Sequence, residues 1–148
     1  MIAIDGATFH ESTMKLNPHI AFGGQCEEAF KFYERCLGAK IVTMLSYGDS
    51  PMAEQVPADW RSKILHATLT VGENVLMGAD VLPEQYQPPR GFHIAVGIQD
   101  PGEAERVFEA LSEGGTVQMP IQKTFWAVRF GVLLDRFGIS WEVNCEQA

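Results

Sequence analysis

The tetrapeptide His19-Ile20-Ala21-Phe22 recurs as His93-Ile94-Ala95-Val96, and an amphipathic helix pattern follows each copy within ten residues. An internal repeat governs the fold, because each unit is one supersecondary module that needs a neighbour to bury its apolar face. The 148 residues therefore read as two small modules sharing a core. The repeat also sets one histidine at the same point of each half, and two equivalent imidazoles can share one metal ion.

The order of elements is the same in both halves. Leu16 to Phe22 predicts a strand, and Gln25 to Leu37 a helix, with Cys26, Ala29, Phe30, Tyr33 and Leu37 on one face. Gly38 stands where a helix C-terminal glycine belongs. Strands follow over Lys40–Tyr47, Ile64–Val71 and Asn74–Ala79. In the second half, Phe92–Ile98 predicts a strand. Asp100-Pro101 then opens a helix as cap and first-turn proline, with Ala104, Val107, Phe108 and Leu111 as its apolar face and Gly114-Gly115 as its end. Strands are expected near Thr116–Gln122, Val128–Leu134 and Ile139–Asn144, the last two joined by a hairpin at Asp135–Gly138.

This is an α+β pattern, strand–helix–three strands twice over. The first module covers residues 14–80, the Pro-containing stretch 81–91 is a linker, and the second module covers 92–148. Residues 1–13 stand outside the repeat and read either as an added edge strand or as an artefact at the start of the chain. The loop from Gly48 to Arg61 is long, a feature of lids and binding loops.

A formal net charge of −8 argues against nucleic acid as a partner. No run nears the roughly 20 apolar residues of a membrane helix, and the start lacks the features of a signal peptide. Cys26, Cys36 and Cys145 are odd in number and fit no zinc spacing, so reduced thiols and a cytoplasmic location are expected. No Gly-rich loop for a nucleotide cofactor is present.

Strand alternation separates a chemical face from a packing face. Pro18, Ile20 and Phe22 point one way, and His19, Ala21 and Gly23 the other. In the second copy Phe92, Ile94, Val96 and Ile98 oppose His93, Ala95 and Gly97. Ile139, Trp141 and Val143 oppose Ser140, Glu142 and Asn144. Small residues beside each histidine leave room for a ligand. His19, His93 and Glu142 would make a two-histidine, one-carboxylate triad for a divalent ion with open positions. The alternative is hydrogen-bonded or surface histidines and a solvent-facing carboxylate. His66 shares a face with Ile64, Thr68 and Thr70, and is read as a fourth ligand, a general base or a structural hydrogen-bonder. Phe125 and Trp126 either wall an apolar pocket or pack ordinarily. Arg129 either meets an anionic ligand group or forms a surface ion pair.

Three stretches carry a family resemblance: Pro-His-Ile-Ala-Phe-Gly-Gly-Gln-Cys-Glu-Glu-Ala-Phe-Lys-Phe-Tyr from Pro18, Ile-Leu-His-Ala from Ile64, and Gln122 to Asn144 with its Thr-Phe-Trp and Trp-Glu-Val-Asn segments. From Met14 to Cys145 the chain resembles the vicinal oxygen chelate superfamily (glyoxalase I, bleomycin resistance proteins and extradiol dioxygenases). It is most similar to the PhnB-like group, which often carries a 3-demethylubiquinone 3-methyltransferase label. The resemblance implies paired modules whose sheets curl around a cavity, with metal ligands at His19, His93 and Glu142. It puts a fourth ligand near Met77, where a thioether suits a hard ion poorly. That departure argues against glyoxalase I itself, and the missing Gly-rich loop argues against the methyltransferase label. The implied activity is metal-dependent isomerase, lyase or dioxygenase chemistry on a vicinal-oxygen compound, with iron, manganese, zinc or nickel. The alternative is metal-free sequestration of a small aromatic or cationic compound. A homodimer is expected, its modules paired within one chain or swapped between two.

Overall fold

A computed structural model describes residues 2–4, 7–9 and 13–146. The elements are β1 (Ile2–Ile4), β2 (Ala7–Phe9), β3 (His19–Phe22), α1 (Cys26–Leu37), β4 (Lys40–Ser46), β5 (Ile64–Val71), β6 (Asn74–Asp80), β7 (Ile94–Gly97), α2 (Pro101–Ser112), β8 (Thr116–Gln122), β9 (Ala127–Leu134) and β10 (Ser140–Glu146). Of the leading segment, β1 and β2 pair with each other and with neither larger sheet. Residues 1, 5, 6 and 10–12 lie outside the described residues.

The duplication is visible in the strand order. One sheet runs β3-β6-β5-β4 and the other β7-β10-β9-β8, so each module has the order first, fourth, third, second. In each, the first strand is parallel to the fourth and the rest are antiparallel. Among the described residues the sheets are separate, each module forming its own.

The helices form where the spacing predicts. Gly38 ends α1 in the left-handed conformation (φ 64°), which glycine adopts without a Cβ penalty. The Asp100 side chain caps α2 by accepting from the Glu103 N–H at 2.8 Å. That helix ends at Ser112, before the expected glycine pair, with Glu113 as its cap. Each helix rests a phenylalanine on a glycine of its sheet. A Cβ on Gly78 would lie 2.9 Å from the Phe30 ring, and one on Gly131 would lie 2.5 Å from Phe108.

The inner faces of both sheets share one core, which includes Ile20, Phe30, Tyr33, Leu69, Phe108, Leu133, Trp141 and Val143. A buried carboxylate ties the modules together. Asp135, 3% exposed, accepts from the Tyr33 hydroxyl at 2.5 Å, the Trp141 indole N–H at 2.9 Å, and the Phe137 and Ile139 backbone N–H groups at 2.8 and 3.0 Å. Four donors compensate the desolvation of that charge. Tyr33 belongs to the first module and Asp135 to the second, and the Tyr33 and Trp141 rings also pack edge to face at 5.0 Å. Burial and the nearby Asp135 charge push the Tyr33 hydroxyl pKa well up.

Candidate functional site

With one face of each sheet committed to the core, the opposite faces look outward. Cross-strand register shows what each carries, because directly paired residues share a face. On the first sheet His19 pairs with Met77, Met77 with Thr68, and Thr68 with Thr43, making one row across all four strands. The position implied for a fourth ligand thus lies directly beside His19. His66 sits two residues before Thr68 on the same face, and its Nε2 lies 3.2 Å from the Thr68 hydroxyl. Ile64, expected on that face, is in the core at 3% exposure. The pairing steps from Leu45–His66 to Ser46–Ile64, so a bulge at Leu65 reverses the alternation.

On the second sheet one row reads Ala95, Glu142, Val132, Met119, and the next Gly97, Asn144, Phe130, Gln122. The Glu142 side chain has no hydrogen bond or ion pair among the described residues. The Asn144 amide nitrogen donates to Glu146 at 3.2 Å, while its Oδ1 is buried without a donor. Strand β7 starts at Ile94, one residue later than His93, which is exposed just ahead of it.

The three proposed ligands are therefore not together in one chain. Glu142 is on β10, His93 immediately precedes the neighbouring strand β7, and His19 belongs to the other sheet. Among the described residues no group of three His, Cys, Asp or Glu is placed to hold an ion. Within one chain the set does not fit a metal, and His19 of a second copy would be needed to complete it.

The remaining candidates separate by face. Trp126 packs on Phe130 at 5.3 Å and 67°, so it belongs with the Glu142 side. Phe125 packs on Trp126 at 4.7 Å and is 97% exposed. Arg129 lies on the other side of the sheet. It pairs with the buried Cys145, and its Nε donates to Glu105 of α2 at 2.7 Å, so its charge is already matched. Sequence reasoning missed Phe130 as a site residue. Its signal was parity, since Phe130 and Trp126 are separated by an even number of positions, whereas Arg129 is not.

A cavity of about 800 Å³ lies on the inner side of the sheets. Leu69, Leu76, Ile94, Val96, Val107 and Trp141 line it, and none of His19, His93 and Glu142 does. The loop after Tyr47 is folded on itself through two single 3-10 turns, Ala53–Gln55 and Ala58–Trp60, and is pinned by Gly48 N–H to Arg61 O at 2.8 Å and Arg61 Nε to Ala53 O at 2.9 Å. The three thiols are free and buried. Burial raises Cys26 far above the usual thiol range and pushes Cys36 up to about 11, so neither is a nucleophile.

Two modules of this order with paired outward faces define a class. The sequence profile of the glyoxalase/bleomycin resistance protein/dioxygenase superfamily matches residues 15–143, and the chain belongs to that superfamily. It is 32% identical to protein YjdN of Escherichia coli (strain K12) over 139 residues, 88% of this chain and 95% of that one. Among solved structures it is similar to protein PA1353 from Pseudomonas aeruginosa, with 47% identity, a TM-score of 0.84, and 92% of this chain and 100% of that chain covered. A PhnB protein from Bacillus cereus shares the fold at 24% identity and a TM-score of 0.76, covering 89% and 99%.

Proposed function

We propose that the protein binds a small molecule on the outward sheet faces, in a site completed by a second copy of the chain. One observation carries this reading. Each sheet buries one face on its helix and leaves the other uncovered, and the two uncovered faces are chemically complementary. The first offers imidazoles and hydroxyls (His19, His66, Thr43, Thr68), and the second a carboxylate, an amide and aromatic rings (Glu142, Asn144, Phe130, Trp126). Because the inner faces share one core, the outward faces of a single chain do not close on each other, and a dimer would bring unlike faces together.

A second reading is a PhnB-like metal-dependent isomerase, lyase or dioxygenase, favoured by His93 at the start of the strand that neighbours that of Glu142. His19 of the partner subunit would complete the triad, and a bound divalent ion would supply Lewis acidity. His66, oriented by Thr68, would be the candidate base. Metal content by mass spectrometry, after loading with iron, manganese, zinc or nickel and desalting, separates the two. Binding without metal predicts no retained ion and unchanged small-molecule binding after chelation. Near-stoichiometric metal, lost in both His19→Ala and Glu142→Ala, would establish the metal-dependent reading instead.

A further inference from the structure

The outward face of the second sheet is specific enough to name a ligand class, an inference that rests on the binding reading above. Its charge in the middle of the sheet is the Glu142 carboxylate. The Glu142 side chain is unpaired among the described residues, and Asn144 gives one of its two amide N–H groups to Glu146 while its buried Oδ1 has no donor. Beside this pair the sheet changes character in both directions. Toward β7 lie Ala95 and Gly97, directly paired with Glu142 and Asn144 and both exposed, so the acceptors border an unfilled shelf. A Cβ placed on Gly97 would meet nothing within 4 Å. Toward β9 lies Phe130, paired with Asn144 and diagonal to Glu142, with the half-exposed Trp126 meeting it at 67° to form an open aromatic corner.

We infer that this face is a subsite for a planar aromatic cation, an aryl amidinium or protonated N-heterocycle. Its ring packs into the Trp126–Phe130 corner and its charge faces Glu142. Aromatic faces attract cations through the ring quadrupole, and a carboxylate strengthens each N–H bond it accepts. A carboxylate-bearing ligand would meet like charge at Glu142. The net charge of −8 favours a cationic ligand at long range.

The test is calorimetric titration with benzamidinium, benzoate and cyclohexylammonium at 0.15 M salt. Benzamidinium is expected to bind at least tenfold tighter than either. Glu142→Gln and Trp126→Leu should each weaken it by roughly tenfold. Both positions face outward, so circular dichroism should confirm unchanged folding. Benzamidinium binding that ignores Trp126→Leu would be general attraction to an acidic protein and would overturn the inference. Benzoate binding as tightly, with loss in Trp126→Leu, would overturn the ligand class and leave the binding reading standing. If none of the three binds and no neutral aromatic fragment does either, both fail together.

Discussion

Replacing Tyr33 by Phe isolates the clasp that fixes the two modules. The substitution keeps the ring, with its edge contacts to Trp141 at 5.0 Å and Phe137 at 6.2 Å, and removes only the hydroxyl that donates to Asp135. Asp135 is almost wholly buried and would keep three of its four donors. A hydrogen bond to a charged group contributes about 1.5–3 kcal/mol, so the expected loss is about 2 kcal/mol. For a chain of this size that lowers Tm by roughly 4–8 °C. Urea unfolding followed by far-ultraviolet circular dichroism should show a lower midpoint at unchanged slope. Asp135→Asn should cost more, because its amide would set N–H donors against the Tyr33 or Trp141 donors. The double variant should show coupling of at least about 1 kcal/mol. The pH dependence has a definite sign. The folded Tyr33 pKa lies above its unfolded value near 10, so the folded state holds this proton more tightly. That contribution is complete below the unfolded pKa and is lost as pH rises through it toward the folded value. Tyr33→Phe should flatten this alkaline fall. Additive single effects within about 0.5 kcal/mol, or an identical alkaline slope in the variant, would refute the clasp.

Three further outcomes follow from the same geometry. Gly115→Ala should destabilise strongly, by roughly 3 kcal/mol or more, because its Cβ would sit 2.3 Å from the Leu134 carbonyl oxygen and the clash is with backbone; a thermal melt reads this directly. Asp80→Ala should cost about 3 kcal/mol in urea unfolding, since the buried Asp80 carboxylate accepts from the Gly24, Cys26 and Ile64 N–H groups and all three would be orphaned. A thiol-reactive disulfide reagent at pH 8 should label Cys26, Cys36 and Cys145 only after denaturant is added, because all three are buried and the first two hold their protons.

Much of the architecture was legible in the sequence because it rests on local periodicity. Ile20 and Phe22 against His19 and Ala21, and Trp141 and Val143 against Glu142, fall on the faces that alternation assigns. What was not legible depends on irregularity or on tertiary placement. The bulge at Leu65 sends Ile64 into the core, and alternation carries no record of an inserted residue. The engagement of Arg129 by Glu105 depends on how α2 lies across β9. Asp135 read as a turn residue, and its bond to Tyr33, 102 positions away, has no local signature. That clasp, with the core it closes, is also why His19 and Glu142 are not assembled in one chain.

The claim that the site forms only between two copies is tested most directly by sedimentation equilibrium of the intact chain across micromolar concentrations. The account predicts a species of twice the 16.4 kDa chain mass. A protein that stays at the single-chain mass would leave its complementary faces unjoined and contradict it.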